Sequence, residues 1–360
     1  MAATGTVGGI DWKALLVTVA LGTAGGALFR WLTIPLPWML GAVTFTTIAA
    51  MSGKVRVAMP RKLRAGFLTI LGVLLGASFT PAIIERMHDW LWTVAGLAVW
   101  ALVAGVGAYI YLRRFARFDK VTAFFAATPG GLAEMVLVGG QLGANVPTLA
   151  LCHAVRVMLV VLAVPIWFRL EGLIAPQQTQ ALVGLLDVAP ADYAILAACA
   201  IGGSFVGNRL KLPAAGMLGP LLCSVAVHLA GFTDSQPPYV LTAAAQVVLG
   251  SAIGQRFAGT TPRSIAADAA HGAVATAIML GFAILFAVAF ARVTGQSFPG
   301  LVLAYAPGGF AEMSLIALAL SVDSAFVASH HLIRIILVVT LAPLLFRKIG
   351  GPPPPGASGF

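Results

Sequence analysis

The sequence predicts an all-α polytopic membrane protein made of two homologous repeats. Its 360 residues are 59% hydrophobic and only 9% charged, whereas soluble domains carry about 25% charged residues. Apolar runs of about 18 residues or more recur along the chain, and this length crosses the roughly 30 Å hydrocarbon core of a bilayer. A Pro-Gly-Gly motif also occurs twice, at corresponding places in the two halves.

The two halves of the chain are related by an internal duplication. The segment Thr128–Met135 (TPGGLAEM) returns as Ala306–Met313 (APGGFAEM), an offset of 178 residues. The offset continues without a gap as far as Arg169 and Arg347, and 17 of these 42 paired positions are identical. A fixed period of this kind indicates a repeated structural unit.

Each copy contains six apolar segments. In the first copy they span about 12–32, 36–51, 65–84, 89–112, 121–142 and 147–168. In the second copy they span about 190–208, 213–231, 239–257, 266–291, 298–320 and 324–346. We therefore predict a first membrane repeat at 1–175, a second at 176–349 and a disordered Pro-rich tail at 350–360.

Two pairs of glycines also follow the repeat. Gly72 and Gly76 are spaced four apart, and Gly250 and Gly254 repeat this spacing. Small residues at this interval let two membrane helices approach closely. The pairs predict close helix packing.

The fifth segment of each copy is interrupted by Pro-Gly-Gly. Proline removes a helical hydrogen bond and glycine tolerates non-helical angles, so we expect each helix to break there. Such backbone survives at membrane depth only when it is buried in protein or lines a cavity. The segment either crosses the membrane as a broken helix or re-enters it.

The loop charges favour re-entrant fifth segments, about ten spanning helices and inverted repeats. Twelve full crossings would place 14 Lys and Arg inside and 6 outside, whereas re-entrant fifth segments place 16 inside and 4 outside. Arg156 and Arg334 are left out of both sums because they lie within apolar segments. Positive residues favour the cytoplasmic side.

The paired motifs, the His-x-x-Arg that follows each, and the duplication resemble the AbrB-duplication family of bacterial membrane proteins. The resemblance covers about residues 12–348. It implies a multi-pass protein of the bacterial inner membrane and a transport function, although family members often carry the label ammonia monooxygenase or regulator.

The motifs place charged side chains inside apolar segments. Glu134 and Glu312 follow the two breaks and are expected in the first turn of a half-helix, where the helix dipole favours a carboxylate. Each either binds a solute or ion, or caps its own helix. The nearest anionic partner expected for Arg156 is Glu134, and for Arg334 it is Glu312, because a buried arginine needs one.

The histidines His153 and His331 lie three residues before these arginines, on the same helix face. They either couple a proton or pack through a hydrogen bond. The candidate substrate- or ion-binding residues are therefore Gly130, Gly131, Glu134, His153, Arg156, Gly308, Gly309, Glu312, His331 and Arg334.

Interrupted helices at corresponding positions of two halves are typical of secondary transporters with a midplane site. We expect such a transporter, which moves a small solute by using an ion gradient. The buried Glu and Arg nearly cancel, so an anionic, a zwitterionic or a neutral solute remains open. A membrane-embedded regulator or a channel is the alternative.

Other classes of function are disfavoured. A monooxygenase would need clustered metal ligands, which the six histidines do not provide, so we expect no enzyme, no cofactor and no metal. The net charge of +10 is explained by cytoplasmic loops, and we expect no nucleic-acid partner. The expected partners are the lipid bilayer and a small molecule or ion, and a homo-oligomer is left open.

Overall fold

The computed structural model describes residues 6–7, 10–173, 184, 187–212, 214–260 and 262–350. The predicted all-α fold class is confirmed, and the only strands among these residues are β1 (Thr6–Val7) and β2 (Ile10–Asp11), which pair antiparallel. Nearly all of the predicted Pro-rich tail, 350–360, lies outside the described residues.

The helices of the first copy match its apolar segments. In chain order they are α1 Trp12–Trp31, α2 Pro37–Ser52, α3 Arg61–Gly76, α4 Pro81–Arg86, α5 Leu91–Arg114, α6 Lys120–Ala127, α7 Leu132–Gln141 and α8 Val146–Leu170. A 3-10 turn, Met87–Trp90, joins α4 to α5.

The helices of the second copy follow the same order. They are α9 Pro190–Arg209, α10 Ala215–Leu229, α11 Tyr239–Gly254, α12 Pro262–Thr294, α13 Phe298–Tyr305, α14 Phe310–Ala319 and α15 Ser324–Gly350, with a 3-10 turn at Gln255–Phe257. Both fifth segments are broken as predicted, between α6 and α7 and between α13 and α14.

The third segment differs from its predicted range of 65–84. Helix α3 ends at Gly76, and α4 starts at Pro81. Proline disfavours the helical region at the residue before it, and Thr80 is accordingly extended, with φ −97° and ψ 160°. The apolar composition continues across this boundary, so composition alone did not show it.

Six helical stretches among the described residues are long and apolar enough to cross a membrane. They lie at 12–31, 81–114, 146–170, 190–209, 265–294 and 324–346. Several of these helices expose large apolar side chains, such as Leu16 on α1 and Phe205 on α9. In a bilayer these side chains face hydrocarbon, and the molecule is a multi-pass membrane protein.

The duplication is visible in the backbone itself. Thr33 and Leu36 have positive φ angles of 55° and 47°, and their counterparts Lys211 and Ala214 have 52° and 48°. Residues other than glycine rarely adopt this left-handed backbone conformation. The two copies therefore share the same strained connection between their first and second helices.

The described chain forms two compact units, and each contains elements of both copies. Unit 1 contains α1–α4 and α9–α11, and unit 2 contains α5–α7, α12, α13 and most of α8 and α15. The repeat boundaries at 175 and 176 concern the sequence duplication and stay a prediction.

Unit 1 is held together by the predicted glycine contacts. A Cβ on Gly72 of α3 would collide with the carbonyl oxygen of Met217 on α10, and a Cβ on Gly250 of α11 would lie 2.6 Å from that of Met39 on α2. Met217 and Met39 are themselves 178 residues apart. The contacts are reciprocal, which indicates a two-fold relation within unit 1, while inversion of the repeats stays a prediction.

Candidate functional site

All ten predicted site residues lie in unit 2, around the two helix breaks. Helix α6 ends at Ala127, and Gly131, with φ −65° and ψ 140°, precedes α7. The second copy breaks in the same way, since α13 ends at Tyr305 and α14 starts at Phe310. Each break frees carbonyl groups at the end of one half-helix and N–H groups at the start of the next.

The two buried arginines bind the carbonyl groups that the breaks set free. Arg156 on α8 donates from one terminal nitrogen to the oxygen of Thr128 (2.9 Å) and from the other to that of Gly130 (2.6 Å). Arg334 on α15 donates in the same way to Ala306 and Gly308, both at 2.6 Å. The side chains are only 3% and 2% exposed.

These contacts correct the expected ion pairs. Neither Arg156 with Glu134 nor Arg334 with Glu312 comes within ion-pair distance. The carbonyls at the C-terminal end of a half-helix carry negative partial charge, and they replace the carboxylate as partner. Each guanidinium therefore joins the sixth segment of its copy to the broken fifth segment.

The two glutamates occupy the first turn of the second half-helices, as predicted. The carboxylate of Glu134 folds back against Gly131, where its Oε2 occupies the space that a Cβ would need, and Glu312 does the same at Gly309. Glu134 is partly exposed, and Glu312 is 6% exposed. Neither forms an ion pair with a cationic side chain of the described residues.

The first glycine of each break makes room for a buried methionine. A Cβ on Gly130 would lie 2.9 Å from the side chains of Met135 and Val338, and a Cβ on Gly308 would lie 2.7 Å from Met313. Gly130 and Gly308 therefore serve packing as well as backbone bending.

The histidines are fully buried, but their surroundings differ. His331 Nε2 lies 2.8 Å from the carbonyl oxygen of Leu303, so this nitrogen carries the proton. Its Nδ1 is buried and has no hydrogen-bond partner among the described residues. His153, at the equivalent place on α8, is equally buried.

Sequence reasoning did not assign a role to His330, although the structure places it in a buried network. Its Nδ1 lies 2.8 Å from the oxygen of Phe326, and its Nε2 lies 2.9 Å from Thr93 Oγ1. Its equivalent in the first copy is Cys152, so the asymmetry of the repeat was the available signal.

The site is one constellation with contributions from both copies. The first break contacts a helix of the second copy, since a Cβ on Gly130 would lie 2.9 Å from Val338 on α15. Among the described residues, no group of three or more His, Cys, Asp or Glu side chains is placed to hold a metal ion. The chemistry available is therefore that of two carboxylates, two helix N-termini and buried imidazoles.

Known protein sequences resemble this chain along nearly its whole length. The family described as "Transition state regulatory protein AbrB" matches residues 38–350. The chain is 29% identical over 357 residues to "Uncharacterized protein YhjN" of Bacillus subtilis, with 92% of each chain covered. It is 24% identical over 342 residues to "Putative regulator AbrB" of Escherichia coli, with 94% of this chain and 97% of the relative covered.

The family match covers far more than half of the chain, including both interrupted segments and both His-x-x-Arg motifs. The expected resemblance is therefore confirmed. This protein belongs to the AbrB family of multi-pass helical membrane proteins.

Proposed function

We propose that the protein is a secondary transporter that moves a small solute across the membrane by using an ion gradient. The observation that carries this proposal is the pair of helix breaks in unit 2. At each break a buried arginine donates to two backbone carbonyls. Two breaks at equivalent positions, with half-helix N-termini near a common site, are typical of secondary transporters. A protein that served only as a scaffold would gain nothing from burying the charged side chains of Arg156, Glu312 and Arg334.

The contacts of the arginines bear on the class of solute. Both terminal nitrogens of Arg156 and of Arg334 already donate to backbone carbonyls, so these groups are poorly placed to hold an anion. Glu134 and Glu312 have no cationic partner in the part of the chain that the structure describes, and the N-termini of α7 and α14 attract negative charge. A zwitterionic solute satisfies both features, with its ammonium on a carboxylate and its own carboxylate at a helix N-terminus.

Flux through the purified protein in liposomes tests the proposal. Mixtures of amino acids, metabolite acids and cations are offered in turn, and currents are recorded on a solid-supported membrane. Glu134→Gln and Glu312→Gln should each fold and lose the current given by the wild type. Glu171→Gln, an exposed position at the end of α8, is the control and should keep it.

If both site variants transport at the wild-type rate, the glutamates only cap their helices. If no mixture gives a current, the protein is not a transporter of these solutes. A regulatory role, which the name of the Escherichia coli relative suggests, would then be the better explanation. We propose the bacterial inner membrane as the location, because both named relatives are bacterial.

A further inference from the structure

Unit 2 contains two equivalent corners whose chemistry differs. At one corner α8 meets α12, and the Oγ1 of Thr148 donates to Oδ2 of Asp268 at 2.7 Å. At the other corner α15 meets the 3-10 turn that leads into α5, and the rings of Phe326 and Trp90 pack edge to face with centroids 5.4 Å apart. Both pairs are related by the offset of 178, so the duplication has kept the contact and changed the residues. We call them the polar corner (Thr148, Cys152, Asp268) and the aromatic corner (Phe326, His330, Trp90).

The two corners also differ in exposure. Trp90 and Phe326 are 4% and 1% exposed. The ring of His330 packs against both of them, with centroid distances of 6.4 Å to Trp90 and 4.1 Å to Phe326. Asp268 and Thr148 are partly exposed. The aromatic corner is therefore closed, and the polar corner is open to its surroundings.

The polar corner continues towards the broken helix. Thr148, Cys152 and Arg156 are spaced four apart on α8, which places them on one helix face. The Sγ of Cys152 lies 3.9 Å from the carbonyl oxygen of Asp268, and Arg156 binds the carbonyl of Gly130. Asp268 is thus the outer carboxylate of a polar face that ends at the candidate site.

We propose that Asp268 takes up and releases the proton that drives transport through this site. The inference rests on the proposed transporter function. A proton adds to a carboxylate oxygen of Asp268 and turns it into a neutral acid, and the reverse step returns the proton to water. The hydroxyl of Thr148 serves both states, because it donates to the carboxylate and can accept from the acid.

The same geometry argues against a metal cation at the polar corner. Na⁺, Ca²⁺ and Mg²⁺ need several oxygen ligands, whereas the side chains here supply one carboxylate and one hydroxyl. No cluster of three or more candidate ligands is found in the described part of the chain. A proton needs only one basic oxygen.

Other titratable groups surround Asp268. On its own helix, His271 has its Nδ1 3.0 Å from the hydroxyl of Tyr111 on α5. Helix α8 contributes Cys152 and Arg156, and α13, which also packs on α12, carries no acid or base apart from its terminal tyrosine. The N-terminus of α6 is adjacent, since the N–H of Asn145 donates to Thr122, whose own N–H donates to the carboxylate of Asp119. Asp268 is the carboxylate that Thr148 binds, and its charge is opposite to that of Arg156.

The predicted inversion assigns a side to each corner. With inverted repeats, α8 and α12 both start on the cytoplasmic side, and α5 and α15 both start on the periplasmic side. With this orientation, the partly exposed polar corner of unit 2 faces the cytoplasm. The proton would be exchanged with the cytoplasm in this state.

Two measurements on Asp268→Asn test the proposal. The first is an infrared pH titration of the purified protein, in which the carbonyl band of a protonated carboxyl group should be lost in the variant. The second is proton movement into liposomes, reported by enclosed pyranine after addition of the amino-acid mixture, which should fall roughly a hundredfold, as when a positioned acid–base group is removed. If Asp268→Asn does not fold, Thr148→Val tests the same corner. It should slow proton movement into the liposomes while the infrared band of the protonated carboxyl group remains.

Asp192→Asn is the matched control, because Ser235 Oγ donates to Asp192 Oδ2 at 2.9 Å in unit 1. This variant should keep full proton movement. An unchanged infrared titration in Asp268→Asn would overturn the proposal, and so would unchanged proton movement, or transport that a Na⁺ gradient drives without any pH change. If the wild type transports nothing, the proposed function fails, and the infrared titration alone decides whether Asp268 exchanges a proton.

Discussion

At the scale of single residues, the site depends on which partner each buried charge finds. Arg156 and Arg334 bind main-chain carbonyls, whereas Glu134 and Glu312 pair with no cationic side chain among the described residues. This arrangement separates two tasks that an ion pair would have combined. The arginines stabilise the broken backbone, and the carboxylates stay available for a solute or ion.

Removing one guanidinium should destabilise the fold, and removing its supposed partner should not restore it. Arg156→Met removes two charge-assisted hydrogen bonds: the Gly130 carbonyl loses its donor, and the Thr128 carbonyl keeps only the N–H of Gly130. The free energy of unfolding should therefore fall by about 3 kcal/mol. Thermal unfolding in detergent measures the change, with Arg209→Met at an exposed position as control.

The double variant Arg156→Met with Glu134→Gln distinguishes the two kinds of partner. If Arg156 and Glu134 formed a buried ion pair, removing both charges would destabilise the fold much less than removing one. Because the partners are carbonyls, the double variant should unfold at the same temperature as Arg156→Met. Recovery of the wild-type unfolding temperature would contradict the structure.

At the scale of helices, glycine has two uses: it lets two helices approach closely, and it helps to interrupt a helix. Gly72 and Gly250 bring pairs of helices from different copies into backbone contact in unit 1, whereas the Pro-Gly-Gly breaks divide single helices in unit 2. The local sequence distinguishes these uses, because only the second has an adjacent proline.

Helix packing in unit 1 should respond strongly to the position of an added methyl group. Gly72→Ala places a Cβ against the backbone oxygen of Met217, which cannot rotate away, and should destabilise by about 1–3 kcal/mol. Gly66→Ala on the same helix meets nothing within 4 Å and should stabilise by up to about 1 kcal/mol. Unfolding temperatures of both variants in detergent measure the difference, and equal shifts would contradict the close packing of α3 on α10.

At the scale of the whole molecule, the duplication does not separate into two compact halves. Each unit takes equivalent helices from both copies, so neither copy can bury its apolar surfaces alone. The reciprocal contacts of Gly72 and Gly250 are the direct sign of this exchange. The paired glycines that pack helices lie in unit 1, and every predicted site residue falls in unit 2.

The direction of the second copy can be tested by labelling. In a variant whose three cysteines are replaced by alanine, Glu171→Cys should react with an impermeant maleimide in intact spheroplasts if the repeats are inverted. Lys54→Cys, in the basic loop, should be protected until the membrane is opened. Protection of both positions would favour parallel repeats with twelve crossings.

The sequence by itself determined the membrane class, the duplication, the approximate positions of most helices and the two breaks. These features depend on composition and on local chemistry: apolar length selects a spanning helix, and Pro-Gly-Gly interrupts one because it combines a missing N–H with two residues of high backbone freedom. The glutamates could be placed for the same reason, since a first-turn position follows directly from the break.

Only the tertiary structure decided the partners of Arg156 and the polar corner at Asp268. Sequence reasoning matched charged side chains with each other, because it has no means of telling which of many identical carbonyl groups is left free. The helix break takes the helical hydrogen-bond donors away from the carbonyls of Thr128 and Gly130, although the N–H of Gly130 still donates to Thr128. A helix from elsewhere in the chain must then bring the guanidinium within reach. Asp268 became informative in the same way, because its contact with Thr148 joins helices from the two copies, 120 residues apart.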